Sequence, residues 1–141
     1  MKALTLYQPW ATLVAIGAKK IETRSWITNY RGKLAVHAGR ERRFLIPDFH
    51  IYEDPFYGIT TLVPEEIRKH PENLVLGCIV AICDLVRVDF INEGYYKYIP
   101  WEERAFGDYT PGRYAWILEN VEALENPVPV KGRQGLWEWK R

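Results

Sequence analysis

Within this chain of 141 residues, Lys19, Glu22 and Arg24 are the residues whose types and spacing could do chemistry. If 19–26 is a strand, side chains two apart share a face. Lys20, Glu22, Arg24 and Trp26 then line one side, and Lys19, Ile21, Thr23 and Ser25 the other. Charged side chains of mixed sign are rarely gathered on a half-buried surface. Arg24 can hold a phosphate or a base edge with its two-pronged guanidinium, and Lys19 can act as a point charge. Glu22 can take up a proton or accept a hydrogen bond from a base amino group. The plainer reading is a salt-bridged cluster pinning one element to the next. The two are compatible, because Glu22 paired with Arg24 can also orient Lys19. Lys19 is expected at a partly exposed turn, where truncation to alanine changes stability by no more than about 0.5 kcal/mol.

The elements that must position this set come just before it. Pro9 stands where a helix takes its first residue, and Trp10, Leu13, Val14 and Gly17 recur at helical spacing. Gly17 supplies the positive φ that ends such a helix. Beyond the charged strand, Arg31, Lys33 and Arg40 extend the basic character, and His37 reads as a hydrogen-bonded wall residue of strand 33–38. Gln8, Trp10, Tyr7, Tyr30 and Trp26 flank the same region, and Trp26 is the best placed of them to stack on an unpaired base. Lys131-Gly132-Arg133-Gln134-Gly135 is basic and glycine-flanked but matches no phosphate-loop pattern.

The net charge of +1 conceals a segregation. Residues 1–43 carry nine Lys/Arg against two acids, residues 44–129 six against fifteen, and residues 130–141 four against one. If the chain ends meet, one side of the molecule is strongly basic, which favours a polyanionic partner. No apolar run approaches the ~18 residues of a membrane helix, and no signal pattern opens the sequence, so a cytoplasmic protein is expected. Cys78 and Cys83, five positions apart in one strand, would lie about 16 Å apart and cannot form a disulfide. No Cys/His cluster argues for zinc, and neither metal nor cofactor is expected.

The rest of the chain reads as strands with few helices. Residues 3–7 and 33–38 are strands, 39–71 is irregular with a turn at 54–58, and Pro64 opens a short helix to His70. Residues 76–88, apolar on both faces, form a central strand. Residues 89–112 read as an aromatic-rich loop, 113–121 as a strand, 126–130 as extended edge chain, and the tail GLWEWK closes the sheet.

The run LTLYQPWATLVAIGAKKIETRSW, with its Gly-x-Lys-x-x-Glu-x-Arg pattern on Gly17, Lys19, Glu22 and Arg24, resembles the ASCH domain family of the PUA-like superfamily. The strand KLAVHAG and the closing KGRQGLWEW resemble it too, so the likeness spans the chain. It implies one domain over 1–141 in the mainly β (α+β) class. The architecture would be a small PUA-like β-barrel with a short N-terminal helix and a few peripheral helices. It also implies binding of RNA, single-stranded nucleic acid or a nucleotide through a basic cleft; a monomer is expected. Gln8, Trp10, Lys20, Arg24, Trp26, Arg31, Lys33, His37 and Arg40 are the candidate contacts. The alternative is a metal-independent hydrolase, a ribonuclease or a nucleoside amidohydrolase, with Lys19 and Glu22 as catalytic pair. In the amidohydrolase branch a threonine nucleophile follows the lysine by three residues; here Glu22 stands in its place, and the neighbouring Thr23 points to the other face.

Overall fold

The computed structural model describes residues 1–47, 53–54, 58–59 and 63–141. Its main sheet has six strands in the order β2-β7-β6-β3-β1-β8 among the described residues. These are β1 (Lys2–Leu6), β2 (Ile21–Arg24), β3 (Gly32–Ala38), β6 (Cys78–Phe90), β7 (Tyr114–Pro129) and β8 (Leu136–Glu138). β1 and β3 are parallel, with Lys2 opposite Leu34 and Leu6 opposite Ala38; the other pairings are antiparallel. A minor hairpin pairs β4 (Glu53–Asp54) with β5 (Gly58–Ile59). The intervening 55–57, on which the expected turn at 54–58 falls, lie outside the described residues.

The helices are α1 (Trp10–Ala15), α2 (Glu65–Lys69) and α3 (Trp101–Ala105). α1 buries Ala11, Leu13 and Val14 and ends before Gly17, at φ +83°. A residue with Cβ is disfavoured there, so the sequence signal for the helix end and the backbone agree. Ala11 and Val14 pack with Leu4, Leu6, Leu34, Val36, Val80, Cys83, Leu85 and Trp116 in the main core. A second layer on the other side of the sheet gathers Ala3, Ala35, Ile79, Ile82, Trp137 and Trp139. Strands β3 and β6 are therefore covered on both faces, which is why 76–88 carries no simple alternation. None of the described helices is long and apolar enough to cross a membrane.

Two expectations are corrected. Residues 113–121 and 126–130 are one strand, β7, running opposite β6 from Tyr114 to Pro129 through three register shifts. Beyond Leu118, whose N–H still bonds to Lys20 O, β6 is the one strand paired with β7 among the described residues, so Pro127 and Pro129 sit where no second ladder needs their missing N–H. Residues 89–112 are not plain loop: they hold a 3-10 turn at Tyr95–Tyr98 and helix α3. Pro100 followed by carboxylates in the first turn is the same helix-start signal that Pro64 gives α2.

The chain ends do meet. The Met1 ammonium donates to the Trp139 carbonyl at 3.0 Å, Trp139 N donates back to Met1 O at 2.8 Å, and β8 pairs with β1. The basic N-terminal segment and the basic tail therefore share one side of the molecule.

Candidate nucleic-acid interface

Strand β2 lies at one edge of the sheet and the β1–β8 pair at the other. Between them opens a cleft of about 1640 Å³. Its walls are the end of β1, the signature strand β2, the turn after α3, the start of the 39–47 segment and the loop 131–135. Among the described residues its lining holds six cations, Arg24, Arg40, Arg104, Arg113, Lys131 and Arg133, against Glu22, Glu41 and Asp108. The bias is local, since the net charge of the whole chain is only +1.

Arg24 spans the open seam. Its Nη2 donates to the Thr5 carbonyl on β1 at 2.8 Å and meets Glu22 Oε2 at 3.0 Å. Its Nε is buried and finds no partner among the described residues. Glu22 also receives the Lys19 ammonium, 3.5 Å from Oε1. Glu22 is thus held between two cations, Arg24 on the cleft side and Lys19 behind it.

Lys19 corrects the sequence reading. It is fully buried, and its Nζ donates to the carbonyls of Ile21 at 2.5 Å and Phe106 at 2.9 Å. The reason is the helix end: the N–H groups of both Ala18 and Lys19 bond to Leu13 O. That reversal turns the lysine inward, before β2 begins at Ile21. Lys19 therefore supports Glu22 from behind and does not line the cleft.

The sequence reading missed Glu103. It is almost completely buried in α3, and its carboxylate accepts the N–H groups of Lys20 at 2.6 Å and Ile21 at 3.2 Å. It thereby closes the edge of β2 that no strand covers among the described residues. Burial pushes its carboxyl above the usual range, against the opposing pull of the two N–H donors and the Lys19 charge. The Pro100 helix-start signal could have located it; its pairing with β2 could not be read from the sequence.

Across the cleft, His37 is buried and wedged between Thr5 Oγ1 at 3.1 Å and the Val130 carbonyl at 2.8 Å. Since a carbonyl only accepts, His37 Nε2 carries the proton there and Nδ1 accepts from the Thr5 hydroxyl. Burial lowers its pKa; the Val130 carbonyl raises it and the Arg40 charge lowers it. Gly132 lies so close that a Cβ would come within 2.5 Å of the His37 ring and 2.9 Å of Thr5 Oγ1. Glycine is what allows the basic loop to rest on this wall, and Lys131 and Arg133 are presented to the cleft as a result. On the β2 side, Thr23 Oγ1 accepts the Asp108 N–H and Arg113 bonds to Thr23 O and Asp108 O, fixing the turn after α3.

Of the candidate contacts and the catalytic pair named from the sequence, the cleft brings together Trp10, Glu22, Arg24, Trp26, His37 and Arg40, beside Tyr7 and the 131–135 loop. The others lie elsewhere. Gln8 is buried, its amide bonded to Thr12 and the Val75 carbonyl, where it ties α1 to the strand entry. Lys33 pairs with Asp84 at 3.0 Å, Arg31 bonds to the carbonyls of Thr28 and Tyr30, and Lys20 is exposed outside the lining. Among the described residues no group of His, Cys, Asp and Glu is arranged to hold a metal ion.

The ASCH domain family model matches residues 4–128. The chain is 25% identical over 135 residues to mouse activating signal cointegrator 1, and 25% identical over 138 residues to the human protein. Each alignment covers 96% of this chain but 22% of the relative, so the chain spans about a fifth of their length. Its fold is similar to the crystal structure of ASCH from Zymomonas mobilis, with a TM-score of 0.57 at 13% identity, over 99% of this chain and 87% of that one.

Proposed function

The chain belongs to the ASCH domain family, and from that premise we propose that its cleft binds single-stranded RNA or another single-stranded nucleic acid. The observation that carries this reading is the lining: six cations against three acids, in an open groove between two sheet edges. An open basic groove tracks a phosphate backbone, whereas a nucleoside-sized substrate calls for a closed pocket. The charge is assembled from distant segments, Arg24 and Arg40 from the N-terminal part, Arg104 and Arg113 from the turn region, and Lys131 and Arg133 from the tail.

In this reading Arg24, Arg40, Lys131 and Arg133 meet phosphates, while Glu22 holds Arg24 across the seam. Lys19 is a positioning residue that acts through Glu22. The hydrolase alternative would need the Lys19 ammonium to reach the ligand, and its two carbonyl partners point it the other way.

Fluorescence anisotropy with a labelled single-stranded oligoribonucleotide tests the proposal. Affinity is expected to fall steeply with salt, by a log–log slope of about −0.7 for each phosphate contacted. Four such contacts would give about −2.8. A flat response between low and physiological salt, or no binding, would overturn it.

A further inference from the structure

We propose that Tyr7 and Phe44, at the mouth of the cleft, form a seat on which one unpaired nucleobase stacks. The inference rests on the reading of the cleft as a nucleic-acid site and adds what the cleft recognises there: the flat face of a base, not phosphate alone.

Both rings line the cleft, and Tyr7 keeps 46% of its surface in solvent. A large ring so exposed, directly beside a half-buried tryptophan, is held in place by its neighbours and not by burial. Phe44 tilts against Tyr7 with centroids 5.3 Å apart and meets Trp10 edge-on at 4.8 Å. The Arg43 guanidinium lies 5.3 Å from the Tyr7 centroid and 5.6 Å from that of Phe44. Such a ring can accept a partner without losing further rotamer freedom, which is the usual cost of ordering a contact.

The surroundings decide the kind of partner. Arg43 lies over both rings and Arg40 lines the same cleft, so a cationic ligand is repelled and an anion-bearing one attracted. A base attached to a phosphate backbone combines the flat ring with that charge. The loop 131–135 supports this: the Arg133 carbonyl lies 3.3 Å from Thr5 Oγ1, two residues before Tyr7. The loop thus touches β1 two residues from Tyr7, about 6.6 Å along an extended chain. Base pairs in a duplex have no free face to offer, so the seat selects single strands. Trp26, the stacking candidate from the sequence, is less available, because its ring stands edge-on to the buried Trp116 at 4.9 Å and packs on the core.

The test uses two probes of equal length and charge, a labelled oligouridylate and an abasic phosphodiester oligomer, at one salt concentration. The parent should bind the oligouridylate more tightly. Tyr7→Leu should weaken that binding about 10- to 100-fold, the range for truncating one base-stacking aromatic. Its affinity for the abasic probe and its salt slope should be unchanged, and Tyr7→Trp should restore discrimination. A parent that binds both probes equally, or a Tyr7→Leu variant within twofold of the parent on oligouridylate, overturns the seat and leaves the basic cleft standing. Equal losses on both probes also overturn it. A parent that binds neither probe overturns the cleft reading, and the seat with it.

Discussion

Lys19→Ala separates a lysine that builds the site from one that merely decorates a turn. The ammonium is fully buried and serves three acceptors: the carbonyls of Ile21 and Phe106, and Glu22 at 3.5 Å. Truncation strands two buried carbonyls, each costing about 1–3 kcal/mol. It also opens a cavity the length of the lysine stem, and Glu22 keeps only Arg24. Against this stands the desolvation cost of burying a charge, which the mutant no longer carries. Breaking one partner out of a buried ion pair costs about 3–5 kcal/mol net, a large part of the roughly 5–15 kcal/mol available to a domain. Lys19→Met strands the same carbonyls and leaves Glu22 with Arg24 alone, but it fills the space of the stem and should therefore cost less than Lys19→Ala. Equilibrium urea unfolding of parent and both variants reads the order directly. If Lys19→Ala unfolds within about 0.5 kcal/mol of the parent, as a solvent-facing lysine would, the inward placement and the argument built on it are wrong.

Gly132→Ala should drive a Cβ into the His37 ring, costing about 1–3 kcal/mol as overpacking does. It should also weaken oligonucleotide binding by displacing Lys131 and Arg133, an effect that anisotropy would register. His37 has a pKa lowered by burial, so its contribution to stability is complete above the unfolded histidine value of about 6.5. That contribution is lost as pH falls below this value toward the lower folded one; urea midpoints between pH 7 and pH 5 should therefore decline, and His37→Gln should flatten the decline. Cys78 and Cys83 are buried and free, and burial pushes the Cys83 thiol up to about 12. A thiol reagent at pH 8 should label them only after denaturation, and rapid labelling of the native protein would contradict the β6 placement.

The local code was legible in the sequence wherever one segment carried the whole signal. The α1 stripe with its Gly17 stop, the doubly apolar β6 and the proline-opened α2 were each readable, because periodicity and backbone chemistry act over a few residues. The segregation of charge was legible as well, whereas the joining of the chain ends was only a condition until the structure showed it. What tertiary structure alone decided concerns groups distant in sequence. The direction of Lys19 follows from a reversal closed on Leu13 O and from a carbonyl of Phe106, 87 positions away. Glu103 became part of the signature because β2 is an edge whose N–H groups needed an acceptor. The continuity of β7 across its prolines depended on where β2 stops pairing. That the Trp26 ring stands against Trp116, buried on β7, while Tyr7 meets Phe44, was likewise a matter of packing. A strand's alternation tells which residues share a face; only the packed neighbour on that face determines which of them remain open to a ligand.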